Sequence, residues 1–299
     1  MQHTLKQSFT LRSKGLHTGL ELTATFMPAP ADSGLRLQRV DLDGQPIIPC
    51  LAENVIDTSR GTVVAISPEV RVSTIEHAMA ALYASGIDNC LIQLDGPEMP
   101  ILDGSSRYFM QFIQQVGVQE QDAPRKYLEL SEPVRYEDPQ TGSMLEITPA
   151  EDFAIEATIE FDSKFISQQT AVLSRLDDFN EEMASARTFV FVRDIAPLLQ
   201  MGLIKGGDLD NAIVIYEREM TQENFDKLAD ALGVERRDAT QLGYLNARPL
   251  TWPNEPARHK LLDIIGDMAL VGRRLRGHIK AVRPGHTANN KFARLLATK

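Results

Sequence analysis

Two stretches of the chain alternate hydrophobic and polar positions with period two. In residues 20–26 (LELTATF), Leu20, Leu22, Ala24 and Phe26 share one face, and Glu21, Thr23 and Thr25 share the other. In residues 153–161 (FAIEATIEF), Phe153, Ile155, Ala157, Ile159 and Phe161 share one face. Such alternation predicts strands with one buried and one more polar face, the pattern of antiparallel sheets. Helical spacing follows later in each half: at 73–85 and 105–116, then at 222–233 and 256–271. A polar stretch, GVQEQDAPRK (117–126), separates the halves and predicts a linker. The pattern therefore predicts an α+β fold of two similar domains, 1–120 and 127–299, each a sheet layered with helices. There is no short-period repeat and no low-complexity tract.

Composition narrows the class. A chain of 299 residues, 43% hydrophobic and 24% charged, has material for a substantial core. A net charge of −10 argues against a nucleic-acid binder, which needs a basic excess to neutralise phosphates. It leaves room for an anionic small molecule held by a local basic patch, and Arg273, Arg274, Arg276, Lys280 and Arg283 are candidates for attracting one. Ordinary surface charge accounts for most of these five. Cys50 and Cys90 form neither a disulfide framework nor a paired metal motif, which fits a reducing compartment. The N-terminus lacks the apolar core of a signal peptide. The best apolar run, LLDIIGDMALVG, is broken by Asp263 and Asp267, so no spanning helix is expected. These features together predict a cytoplasmic protein.

Chemistry concentrates in two places. In STIEHAMAAL (73–82), Glu76 and His77 stand together in the first turn of a predicted helix. Ser73-x-x-Glu76 fits a capping box, in which the glutamate would only satisfy backbone N–H groups. In NEPARHKLLDIIGDMAL (254–270), Asn254 is a plausible N-cap and Pro256 suits a first turn. His259, Asp263 and Asp267 follow at i, i+4 and i+8, along one helix face beside an apolar one. A solvated stripe is the plain alternative. Burying such groups is costly unless they are paired or bind a metal. His259 and Asp263 can ligate one ion from a single helix, with His77 as third ligand. Two His and one carboxylate leave an open position, the logic of a catalytic zinc site, and equally of a non-haem Fe(II) oxygenase. A hydrolytic site needs a base, and Glu76 adjoins His77. It also needs an acid, and His286 in RPGHTANN (283–290) lies in a glycine-flanked loop suited to exposure. Lys260, one residue after His259, is expected on a different face, touching substrate rather than metal. His278 carries no motif.

Seven motifs then occur in order. They are GLHTG (15–19), STIEHAMAAL (73–82), PILDGS (100–105), ARTF (186–189), LIKGGDLDNAIV (203–214), RHKLLDIIGD (258–267) and GHTANNK (285–291). In them the chain resembles the zinc-dependent UDP-3-O-acyl-N-acetylglucosamine deacetylases of lipid A synthesis, over nearly its whole length. The resemblance implies two layered domains with the active site between them. It implies one Zn2+ held by His77, His259 and Asp263, with Glu76 as general base. It gives supporting catalytic roles to Thr188, Asp267 and His286 and a substrate role to Lys260. A hydrophobic passage for an acyl chain is implied at about 190–215, with Phe189, Ile195, Ile204, Gly207, Ala212 and Val214 as lining candidates. Plain core is the alternative there. The implied partner is an acylated UDP-glucosamine, whose 2-acetamido group is hydrolysed to release acetate. Some family members carry a dehydratase domain after this region, so the chain is expected to be part of a longer protein. Competing readings are the Fe(II) oxygenase and a nucleotide-sugar-binding protein with a structural metal. His17, in GLHTG, borders the implied site without a role.

Overall fold

The computed structural model describes residues 1–163 and 165–299. Its two largest sheets share one topology. In the first the strand order is Phe9–Lys14, Glu21–Pro28, Cys90–Leu94, Leu35–Arg39, Ile47–Pro49. In the second it is Val134–Asp138, Ser143–Thr148, Gly277–Val282, Phe153–Ile159, Gln169–Leu173. Each sheet is two antiparallel hairpins with the last strand of its half inserted between them. That strand runs antiparallel to one neighbour and parallel to the other. The alternation at 153–161 places Phe153, Ile155, Ala157 and Ile159 in the core. At 20–26 it holds for Leu22, Ala24 and Phe26, but Leu20 precedes the strand and is 52% exposed.

Helix α1 (Glu76–Ala84) leads into the inserted strand of the first half, and α2 (Arg107–Val116) follows it. The second half adds a short α3 (Phe179–Glu182), then an excursion carrying α4 (Val192–Gln200) and α5 (Gln222–Leu232). It then repeats the plan, with α6 (Glu255–Ala269) before its inserted strand and α7 (His286–Ala297) after it. Strands therefore do not simply precede helices, because the fifth strand of each sheet lies between two of them. The predicted linker is also not free chain. Val118–Gln121 pairs antiparallel with Gln2–Leu5, and Tyr127–Leu128 pairs with Arg274–Leu275. Backbone pairing needs no apolar side chains, so the composition of 117–126 did not reveal it.

The inner faces of both sheets and helices α1 and α6 form one continuous core, with Phe26 and Ile92, Ile147 and Ile279, Met79 and Ile265 among its members. At the α1–α6 crossing a Cβ on Gly266 would lie 2.1 Å from the Glu76 carbonyl oxygen. Glycine is what lets the two backbones touch there. The excursion is a separate layer. Phe189–Phe191 and Ile213–Tyr216 run parallel with α4 between them, over small clusters of their own.

Candidate metal centre and cavity

The α1–α6 crossing brings His77, His259 and Asp263 together. All three are buried, and one donor atom from each lies within 4.8 Å of the others. His259 Nε2 is 3.4 Å and His77 Nε2 3.8 Å from Asp263 Oδ1. That oxygen is buried and accepts no hydrogen bond from the described residues, a costly state for a carboxylate unless a cation joins it. The imidazoles are prepared as ligands. His259 Nδ1 lies 3.0 Å from the Ala186 carbonyl, so it carries the proton and leaves the Nε2 lone pair free. Burial lowers the pKa of His77 to about 3 and lowers that of His259, so both are neutral near pH 7. Burial opposes ionisation of Asp263, but His259, Lys260 and His286 outweigh it and hold the carboxyl below its usual range. Two neutral imidazoles and a carboxylate fit a divalent transition metal such as zinc.

Glu76 is the first residue of α1. The capping box does not form. Thr74 adopts a left-handed φ of +59°, so the chain turns sharply between Ser73 and the helix, and Ser73 Oγ donates to the Pro97 carbonyl at 3.3 Å instead. The Glu76 carboxylate accepts the Thr62 backbone N–H at 3.0 Å, and its other oxygen lies 4.0 Å from His286 Nε2. Burial, partly offset by His286, raises the Glu76 pKa to about 7.

Asp267 ties this group together. It accepts the Thr62 hydroxyl at 2.5 Å, the Asn289 amide at 2.9 Å and His286 Nδ1–H at 3.1 Å. Burial disfavours the imidazolium of His286, but Asp267 and Asp263 outweigh it and raise the pKa to about 9. The Nε2–H of that cation faces Asp263 Oδ2 at 3.6 Å and Glu76. His286 is therefore not an exposed loop residue. It opens α7, whose Ala288, Phe292 and Leu296 bury one side, and its side chain is only 10% exposed.

Other expectations need adjusting. Lys260 donates to Asp263 Oδ2 at 2.8 Å, because the i, i+3 spacing puts it on that residue's face. Its ammonium also lies 5.6 Å over the Phe189 ring. Asn254 occupies the N-cap position of α6 without capping it. Its amide donates to Thr170 O and accepts from Arg258. Thr188 is held by its N–H to the Gly104 carbonyl at 2.7 Å. Beside it, buried Arg187 donates to buried Glu255 through Nε at 2.9 Å, fixing the turn that presents Ala186 O and Thr188.

A cavity of about 580 Å³ opens over these groups. His77, Glu76, His259, Asp263 and His286 line one part. Phe189, Ile195, Leu198, Ile204, Gly207, Ala212 and Val214, all from the excursion, line another. His17, Thr188 and Lys260 line it too. Of the five basic candidates, Arg283 lines the cavity, paired with Glu160 at 2.9 Å. Arg274 is buried elsewhere, stacked on Tyr83 and bonded to Asp88 at 3.2 Å. Arg273, Arg276 and Lys280 do not line the cavity. Sequence reasoning missed Thr62 and Asn289. Asn289 lies one turn after His286 inside a quoted motif and was findable. Thr62 reaches Glu76 and Asp267 from an irregular stretch whose pattern signals nothing.

Two topologically matched halves whose helices cross at a three-donor site define an α+β protein with a candidate metal centre. The family is then fixed by comparison. The family model LpxC, UDP-3-O-acyl N-acetylglycosamine deacetylase, matches residues 2–232 and 227–298, and the chain belongs to that family. It is 58% identical over 295 residues to a bifunctional enzyme LpxC/FabZ of Bacteroides thetaiotaomicron and 54% identical to its namesake of Porphyromonas gingivalis. In both pairs 99% of this chain and 64% of the relative are covered, so the chain spans just under two thirds of the length of those proteins. It is 42% identical to a UDP-3-O-acyl-N-acetylglucosamine deacetylase of Myxococcus xanthus, over 98% of this chain and 85% of that one. No helix among the described residues is long and apolar enough to cross a membrane.

Proposed function

We propose that this chain hydrolyses the 2-acetamido group of UDP-3-O-(3-hydroxyacyl)-N-acetylglucosamine, releasing acetate, with one zinc ion held by His77, His259 and Asp263. One observation carries the reading. A carboxylate oxygen of Asp263 with no hydrogen-bond partner among the described residues lies between two neutral imidazoles, flanked by Glu76 and His286, in a cavity that also has an apolar wall from the excursion. Family membership supports the substrate class. A base and an acid beside the ligands suit hydrolysis, whereas an Fe(II) oxygenase has no need of that pair.

The chemistry zinc supplies when bound is polarisation of a carbonyl and a lower pKa for water. The residues do the rest. Glu76 accepts a proton from the attacking water. The Thr188 hydroxyl donates to the oxygen that gains charge, a contribution typically of ~3 kcal/mol per donor. His286 donates Nε2–H to the departing nitrogen while Asp267 holds its Nδ1–H. Lys260, on Asp263, keeps that carboxylate ionised and faces the substrate. The acyl chain runs along Phe189, Ile195, Ile204, Gly207, Ala212 and Val214. Zinc-loaded Glu76→Gln protein tests the base directly. We expect kcat to fall ~10²–10⁴-fold with metal retained, and unchanged turnover would remove Glu76 from the role.

We also assign the two domains to 1–120 and 127–299, supported by the repeated sheet order and by α1 and α6 supplying the ligands from opposite sides. Fusion to a dehydratase partner is supported by the bifunctional relatives. A cytoplasmic setting is supported by two free, buried thiols, Cys50 and Cys90.

A further inference from the structure

Half of the strained backbone positions outside glycine border the cavity. Among the described residues, six that are not glycine have positive φ: Asp32, Gln45, Thr74, Leu102, Ile204 and Arg283. Three of these, Thr74, Ile204 and Arg283, line the cavity. Thr74 precedes Glu76 by two residues and is β-branched, the side-chain type least suited to φ of +59°. Such a conformation is unfavourable and persists only when its surroundings impose it.

The Thr74 hydroxyl is bonded to Glu98. This glutamate is 0% exposed, and among the described residues no Lys, Arg or His lies within ion-pair distance of it. Its carboxylate is satisfied by four donors. Oε1 accepts Thr74 Oγ1 at 3.1 Å and His17 N–H at 2.8 Å. Oε2 accepts Thr18 N–H at 2.9 Å and Thr18 Oγ1 at 2.7 Å. A Cβ on Gly15 would lie 2.2 Å from Glu98 Oε2, so only glycine admits the carboxylate there. Backbone bonds then zip Ser73 between Pro97 and Met99, at 3.0 Å each. A buried carboxylate held by neutral donors is expensive, and this one spends its whole bonding capacity fixing Thr74 and the 15–19 loop.

We propose that Glu98 is a positioning residue for the reaction. It holds Thr74 in the left-handed conformation that turns the chain into α1 and aims Glu76 at the site. The inference rests on the deacetylase reading above. Its sign is unusual for a buried residue, because the harm of losing Glu98 is mended by removing the strain it supports. The substitution Glu98→Gln replaces one acceptor oxygen with a donor facing donors, so the four bonds that hold Thr74 and the 15–19 loop are no longer all made and the tether on Thr74 is weakened. Glycine at position 74 takes positive φ without cost.

The test is steady-state acetate release, metal content and Tm for Glu98→Gln, Thr74→Ala, Thr74→Gly and Glu98→Gln/Thr74→Gly. Glu98→Gln is expected to lose roughly tenfold or more in kcat, as misplaced catalytic groups do, with KM nearly unchanged and one metal per chain retained. The double variant is expected to regain several-fold in kcat over Glu98→Gln. Thr74→Ala keeps the Cβ strain and loses the tether, so it is expected to be less active and less stable than Thr74→Gly. Should Glu98→Gln fail to fold, the two Thr74 variants decide alone. Equal kcat for Thr74→Ala and Thr74→Gly, wild-type kcat for Glu98→Gln, or a double variant no better than Glu98→Gln overturns the proposal. Absence of acetate release by the wild type strikes the deacetylase reading instead.

Discussion

Among the described residues no group donates a hydrogen bond to Asp263 Oδ1, so the carboxylate's unmet need is for a cation. Asp263→Ala is expected to weaken zinc binding by more than ~100-fold, beyond the ~10–100-fold that loss of an outer partner costs. Equilibrium dialysis against zinc would show it, and an unchanged dissociation constant would move the metal elsewhere. The pH dependence follows from two shifted groups. Glu76 must be ionised to take a proton, and burial has raised its pKa to about 7, so kcat/KM rises with pH through that region. His286 must be protonated to give one, and Asp267 has raised its pKa to about 9, so the rate falls above that. Asp267→Asn removes the charge holding the imidazolium, and the basic limb is expected to move to lower pH. A limb that stays in place contradicts the acid assignment. At this scale the candidate metal-binding set was legible because His259 and Asp263 are one turn apart beside an apolar face. The roles of Thr62 and Glu98 were not. Both act by sets of hydrogen bonds across irregular segments, and no periodicity encodes those.

Helices α1 and α6 are the elements on which the site depends. Their existence and faces could be read from spacing, while the start of α1 could not, because the left-handed Thr74 breaks the apparent capping box. Gly266→Ala would push a methyl group into the Glu76 carbonyl. We expect a loss of about 1–3 kcal/mol, as for other overpacked sites, together with weaker metal binding, since His77 would move away from His259. Calorimetry with and without zinc separates the two effects. The buried Arg187–Glu255 pair is a second fixed point. Breaking it with Glu255→Ala leaves an uncompensated guanidinium and is expected to cost about 3–5 kcal/mol. A Tm close to that of the wild type would show that the pair is dispensable. Helix α7 escaped sequence reading because its first turn, HTANN, is polar and looks like loop.

Across the whole molecule, two halves of like topology place candidate ligands on facing helices, and the excursion from the second half supplies the apolar wall. The α+β class and the two-part plan were visible in the strand alternation and the order of the helices. The pairing of 118–121 with the N-terminal strand was not, because it is made by backbone alone. If the wall receives an acyl chain, Ile195→Trp should shift preference towards shorter chains, by about 1–3 kcal/mol for each methylene excluded. Unchanged chain-length preference would mean that these residues serve as core. The central claim is tested most directly by acetate release from UDP-3-O-acyl-N-acetylglucosamine. We predict release by the purified chain, its loss on treatment with a chelator and its return on adding back one equivalent of zinc. Release that persists in the chelated, metal-free protein, or no release from the zinc-loaded one, would contradict it.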